Sequence, residues 1–98
     1  MTDLILVRVT CPSQRVAEEI AEAAVEARLA ACANISGQMS STYRWKGVVE
    51  QAFEVLLTLK TTISHWQAID QLVAKKHPYD VPAIVALPCV QANALYET

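Results

Sequence analysis

The chain has 98 residues, enough for one domain built on a single small hydrophobic core. Hydrophobic residues make up 53% and charged residues 18%, which argues against disorder and favours apolar surface that a partner covers. The net charge of −2 does not favour nucleic-acid binding, and every apolar run is far shorter than the roughly 20 residues that span a membrane. We therefore predict a single domain over residues 1–98.

The cysteine pattern indicates the compartment. Cys11, Cys32 and Cys89 form an odd set without Cys-x-x-Cys spacing. Free thiols of this kind are typical of a reducing environment, where they behave as small buried hydrophobes. Because the N-terminus also lacks the basic start of a signal peptide, we predict a cytoplasmic protein.

A strand and a helix are predicted in the first third of the chain. Residues 4–10 form a β-branched run of strand length that ends at Cys11 and Pro12. Ser13 is a suitable N-cap for a helix from Gln14 to about Ala31, since apolar residues recur there with helical spacing.

A long β-hairpin is predicted from residue 34 to residue 61. Residues in both halves alternate with period two, as in a half-buried strand. Lys46-Gly47 is the place where the chain reverses direction. We favour a three-residue loop, residues 45–47, in which Gly47 has a positive φ.

This loop is favoured because of the strand register that it sets. It places apolar residues opposite each other, with Met39 facing Phe53 and Ile35 facing Leu57. A two-residue loop would shift the register by one and place Met39 against Glu54.

The length of the hairpin favours an oligomer. Strands of this length reach roughly 36 to 46 Å, whereas a compact chain of this size has a radius of gyration of about 13 Å. The far half should therefore overhang the core and expose its apolar side chains unless another surface covers them. The residues predicted for this interface are Met39, Tyr43, Trp45 and Phe53.

A second helix and a last strand complete the predicted fold. The helix is capped by Thr62 or Ser64 and stopped by Pro78. Residues 81–90 form an apolar strand, and residues 93–98 begin another helix. The order β-α-β-β-α-β predicts a ferredoxin-like α+β fold, with both helices on one face of a four-stranded antiparallel sheet.

Few residues suggest chemistry. His77 is either a metal ligand or proton carrier, or a histidine that contacts the last carbonyls of the second helix. Lys60, late in an apolar strand, could meet an anion, and Cys32 is either a soft metal ligand or part of the core. The sequence contains no Gly-rich phosphate loop and no catalytic motif, so we predict a protein without enzymatic activity.

Four blocks of sequence resemble, in order and spacing, the CutA family of divalent-cation tolerance proteins. These blocks are RLAACANI at 28–35, YRWKG at 43–47, LKTT at 59–62 and HPYDVP at 77–82. The resemblance implies a ferredoxin-like subunit that forms a homotrimer through the long hairpins, similar to the nitrogen-regulatory signalling trimers. It also implies a role in tolerance to copper and other divalent cations.

The resemblance implies a metal site as well. Copper sites in the family use a cysteine late in the first strand and a His-His pair before Pro-Tyr. Here those positions hold Val9 and the pair Lys76-His77, with Cys11 two residues beyond Val9. The implied ligands of copper or another divalent cation are therefore His77 and Cys11.

The trimer implied by the resemblance would also contain inter-subunit clefts for a metal ion or a small anion. The residues expected to line them are Lys60, Tyr79, Cys32, Trp45 and Glu50. One alternative is a trimeric scaffold or signalling module without a metal site. Another is an acylphosphatase-like enzyme, although the first loop offers only Arg15 for the arginine cradle of that chemistry. An RNA-binding sheet is disfavoured because residues 4–10 contain no aromatic residue.

Overall fold

The computed structural model describes residues 2–94 and has the predicted order of elements. A 3₁₀ turn, Ile63–His65, precedes the second helix. The elements are β1 (Leu4–Cys11), α1 (Gln14–Glu26), β2 (Cys32–Trp45), β3 (Val48–Thr62), α2 (Trp66–Lys76) and β4 (Ile84–Pro88). The four strands form one antiparallel sheet in the order β2-β3-β1-β4. The ferredoxin-like α+β prediction is therefore confirmed.

The core lies between one face of this sheet and the two helices. Alternate residues of β1 are buried because successive side chains of a strand point to opposite faces. They pack with alternate residues of β3 and with the apolar stripes of α1 and α2. The largest fully buried side chains are Ile20, Leu57, Leu59, Ile69, Val7, Val9, Val73 and Cys11.

The clearest differences from the predicted boundaries are in α1, α2 and β4. α1 ends at Glu26 rather than near Ala31, because Arg28 takes a left-handed φ of 62° and Leu29 N–H bonds back to the carbonyl of Ala24. Residues 63–65 form the 3₁₀ turn, so α2 begins only at Trp66. β4 is limited to Ile84–Pro88 instead of residues 81–90. The helix expected from residue 93 falls mostly outside the described residues.

The predicted three-residue hairpin loop is wrong. The loop has two residues, Lys46 and Gly47, with φ values of 49° and 81°. Positive φ at both positions is the type I′ geometry that matches the twist of a two-residue hairpin. Met39 therefore faces Glu54, and Phe53 faces Ser40.

A β-bulge corrects the register near the base of the hairpin. The ladder shifts between Ile35 and Gln38, where the Ser36 hydroxyl accepts a hydrogen bond from Leu56 N–H at 3.2 Å. On the side of the bulge away from the hairpin tip, Ile35 faces Leu57, as predicted. In an uninterrupted ladder, the pairing of Ile35 with Leu57 would continue in the same register to the tip. The bulge shifts the register by one residue, so the predicted pairing holds at the base of the hairpin and fails at the tip.

The distal hairpin exposes apolar side chains, as predicted from its length. The subunit measures 45 × 25 × 23 Å, and Trp45 and Phe53 are 57% and 67% exposed. The observed register places Met39, Tyr43 and Trp45 on one face of the hairpin and Phe53 on the other. The four predicted interface residues therefore do not form one surface within a subunit.

Candidate functional site

A cleft of about 730 Å³ lies between the distal hairpin and the segment that follows α2. The observed register brings Tyr43 directly opposite Glu50, and both side chains share the hairpin face that borders the cleft. The residues that line the cleft are Thr10, Ser41, Tyr43, Trp45, Glu50, Glu54, Pro78, Tyr79, Asp80, Val81 and Ala83.

His77 fixes the position of the segment after α2. Its ring Nε2 lies 2.7 Å from the carbonyl oxygen of Thr10, and its Nδ1 accepts a hydrogen bond from Tyr79 N–H at 3.2 Å. Because a carbonyl can only accept, Nε2 carries the proton and the ring is the neutral Nε2–H tautomer. His77 is 6% exposed, so this side chain ties residues 77–79 to the end of β1.

Tyr79 connects this segment to the hairpin. Its hydroxyl donates a 2.9 Å hydrogen bond to Oε2 of Glu54, and its ring lies 4.7 Å from the His77 ring, tilted by 59°. Glu54 is only 8% exposed. Burial and the hydrogen bond to Glu54 raise the pKa of Tyr79 to about 12. Tyr79 therefore serves as a neutral donor that orients a buried carboxyl group at the wall of the cleft.

Cys11 is close to this region, but its thiol is not activated for metal binding or nucleophilic attack. It is fully buried, and its Sγ lies 3.8 Å from the carbonyl oxygen of Val9. Burial, together with the charge of Glu54, raises the pKa of the Cys11 thiol to about 11. The thiol is therefore protonated at neutral pH, whereas nucleophiles and metal ligands need the thiolate.

The two predicted metal ligands do not fit a metal ion in their present geometry. Both ring nitrogens of His77 are engaged by backbone groups, and the Cys11 thiol is buried and protonated. Residues 2–94 contain no group of three or more His, Cys, Asp and Glu side chains placed to hold a metal ion. Metal binding by His77 and Cys11 stays a prediction, and it would require these hydrogen bonds to open.

The predicted ligand cleft is divided between two places in the subunit. Tyr79, Trp45 and Glu50 meet at the cleft described above. Lys60 lines a separate cavity of about 460 Å³ beside the end of α1, and Cys32 pairs with Lys60 across the sheet. Lys60 lies six residues from Glu54 along β3, which corresponds to roughly 20 Å.

Sequence reasoning missed Glu54. An acidic residue between Phe53 and Val55 in a strand was a usable signal, because a charge in such a place needs a partner. The two-residue loop places Glu54 opposite Met39, a pairing that is disfavoured when apolar residues are expected to face each other. The buried carboxyl group is instead satisfied by Tyr79, which comes from another part of the chain.

The fold and the cleft define a ferredoxin-like protein with a ligand-sized cleft beside an overlong hairpin. Residues 5–98 match the family described as "CutA1 divalent ion tolerance protein". "Protein CutA" of Mus musculus is 49% identical over 88 residues, which cover 90% of this chain and 50% of that protein. The chain thus spans about half the length of the mammalian relatives that it matches.

A bacterial relative matches over most of both chains. The "Divalent-cation tolerance protein CutA" of Thermus thermophilus is 47% identical over 91 residues, 93% of this chain and 88% of that protein. Its solved structure superposes with a TM-score of 0.93 at 46% identity, covering 95% of this chain and 90% of that one.

An archaeal structure extends the comparison. The protein from Archaeoglobus fulgidus, named a "Periplasmic divalent cation tolerance protein CutA", gives a TM-score of 0.93 at 31% identity and covers 96% of this chain and 91% of that one. The chain therefore belongs to the CutA1 divalent ion tolerance family. Within residues 2–94, no helix has the length and apolar character needed to cross a membrane.

Proposed function

We propose that the protein is a homotrimeric binding module for divalent-cation tolerance, assembled through its long hairpins. The observation that carries this proposal is the apolar surface of the overhanging hairpin tip, where Trp45, Val48, Val49 and Phe53 are all more than half exposed. Isolated apolar residues are common on protein surfaces, but a cluster on one projecting element favours a covered interface. Membership of the divalent ion tolerance family supports the cellular role.

The ligand site of this module is the cleft beside the hairpin, completed by a neighbouring subunit. Support comes from its volume of about 730 Å³, which is within the range of about 300–1,000 Å³ for small-molecule sites, and from the buried carboxyl group of Glu54. A small ligand or a divalent cation can reach Glu50 and Glu54 there. The same cleft would serve a signalling module that senses a ligand without retaining a metal ion.

Weak binding of copper through His77 and Cys11 is the second candidate, favoured by the resemblance of residues 77–82 to a sequence block of the CutA family. Weak affinity is expected because the His77 ring must first release its hydrogen bond to Thr10. The test is calorimetric titration with Cu²⁺ of the wild type, His77→Ala and the control His65→Ala. Loss of binding in His77→Ala alone supports the site, and an unchanged affinity contradicts it.

Binding rather than catalysis is the proposed mode of action. The one thiol beside the cleft, Cys11, is protonated at neutral pH and so is a poor nucleophile. We expect no release of phosphate from acetyl phosphate above the uncatalysed rate, and turnover would contradict the proposal. The free thiols of Cys11, Cys32 and Cys89 support a reducing, cytoplasmic location.

A further inference from the structure

The chemistry of the cleft is specific for one kind of ligand. Three carboxyl groups and three aromatic rings line it, contributed by Glu50, Glu54, Asp80, Tyr43, Trp45 and Tyr79. Among the described lining residues there is no Lys or Arg. The carboxyl groups therefore have no cationic partner within the part of the cleft wall that this subunit supplies. Acidic and aromatic groups without a basic residue are complementary to a positively charged, partly apolar ligand.

We propose that this cleft binds an organic cation, an alkylammonium or alkylguanidinium group, with the charge near Glu54 and Glu50 and the apolar part against the aromatic rings. The proposal rests on the proposed function, since it names the class of ligand taken by the same cleft. Aromatic side chains recognise such cations through the negative faces of their rings.

The arrangement of the acidic groups favours an organic cation over a metal ion. A metal ion needs several ligand atoms that converge at about 2.0–2.6 Å, and the acidic side chains of residues 2–94 form no such group. Carboxyl groups spread along a cleft instead suit a cation whose charge is distributed over several N–H donors. The volume of about 730 Å³ also exceeds what a hydrated ion requires.

Glu54 is preorganised to receive such a donor. Its Oε2 accepts a hydrogen bond from the Tyr79 hydroxyl at 2.9 Å. The Glu54 side chain lines the cleft and is 8% exposed. Because the Tyr79 hydroxyl directs its only proton to Oε2 of Glu54, both groups offer their remaining lone pairs as hydrogen-bond acceptors, and the matching ligand must be a donor.

Trp45 already accepts a cation in the subunit itself. The ammonium group of Lys46 lies 5.6 Å from the centroid of the Trp45 ring, within the range of a cation–π contact. Lys46 belongs to the turn at the hairpin tip, and the same Trp45 side chain lines the cleft. The ring at the rim therefore has the geometry to hold a positive charge.

The test is a titration of the trimer with butylguanidinium and with butylurea, its neutral counterpart of similar shape. Nuclear magnetic resonance of the two tryptophan indoles locates the binding, because Trp45 lines the cleft and Trp66 begins α2. We expect butylguanidinium to shift the Trp45 signal in a saturable manner, with Trp66 unaffected. We expect butylurea to bind at least tenfold more weakly.

Three variants make the result specific. Glu54→Gln keeps the size of the side chain and its bond with Tyr79, and should weaken butylguanidinium binding at least tenfold. Glu50→Gln changes an exposed residue that tolerates substitution, and should weaken binding severalfold. Glu22→Gln on the exposed face of α1 removes the same charge away from the cleft and should change the affinity less than twofold.

Two results would overturn the inference. One is equal affinity for butylguanidinium and butylurea, and the other is a trimer in which neither probe shifts the Trp45 signal. A measured trimer that fails to bind the probe refutes the organic cation while the proposed assembly stands. A measured monomer refutes the assembly itself, whatever the probe does.

Discussion

Replacement of Gly47 by alanine tests the geometry of the hairpin turn. Gly47 has a φ of 81°, and a Cβ added there would meet no atom within 4 Å. The cost of Gly47→Ala is therefore a backbone cost alone, about 1–2 kcal/mol for an L residue in the left-handed region. Lys46→Asn should act in the opposite direction and stabilise by a few tenths of a kcal/mol, because Asn tolerates the φ of 49° at the other turn position.

Gly37→Ala is the matched control for this prediction. Gly37 also has no atom within 4 Å of an added Cβ, but its φ lies outside the left-handed region. Alanine there should be neutral or slightly stabilising because it reduces the entropy of the unfolded chain. Urea unfolding at one fixed protein concentration measures all three variants. Equal free energies of unfolding for Gly47→Ala and Gly37→Ala would refute the two-residue turn.

Two further predictions concern the groups around the cleft. Tyr79→Phe should lower the free energy of unfolding by about 1–3 kcal/mol, since Glu54 loses its hydrogen-bond donor. The control Tyr43→Phe should lower it by less than about 0.5 kcal/mol. Equal losses in the two variants would argue against the bond between Tyr79 and Glu54. Folding raises the pKa of the Cys11 thiol from 9.0 to about 11. Above pH 9 the thiol ionises in the unfolded chain before it does so in the folded one. The stability that the protonated thiol contributes is therefore complete below pH 9 and is lost between pH 9 and 11. Urea unfolding against pH should show a smaller loss over that interval in Cys11→Ala, and identical profiles would contradict the assignment.

The fold could be predicted because local patterns and global topology agree. The apolar, β-branched run of β1, the helical spacing after Ser13 and the Lys46-Gly47 dipeptide each specify one element without knowledge of the others. The overhang of the hairpin followed from its length alone. These features are carried by residues close together in the chain, where sequence periodicity is informative.

The details of the site could not be predicted, because they depend on contacts between distant segments. Tyr79 and Glu54 are 25 residues apart, and the bond between Nε2 of His77 and the Thr10 carbonyl spans 67 residues. The bulge at Ser36 changes the register between the base and the tip, and nothing in a period-two pattern reveals it. Lys60 and Tyr79 were grouped by family resemblance, but the subunit separates them into two cavities.

The distal hairpin exposes apolar side chains on both of its faces. Phe53 and Val49 lie on one face of the distal hairpin and Tyr43 and Trp45 on the other. A single partner surface cannot cover both faces of a projecting ribbon. Contacts on both sides are what a closed ring of identical subunits provides, since each hairpin then lies between neighbours.

The mass of the assembly in solution shows whether the hairpins join three subunits. Light scattering during size-exclusion chromatography, repeated at several protein concentrations, measures it without assuming a shape. We expect a mass of about 32 kDa, three times the chain mass of 10.8 kDa, at every concentration. A mass of 10.8 kDa at micromolar concentration would contradict it, because the exposed hairpin would then have no partner.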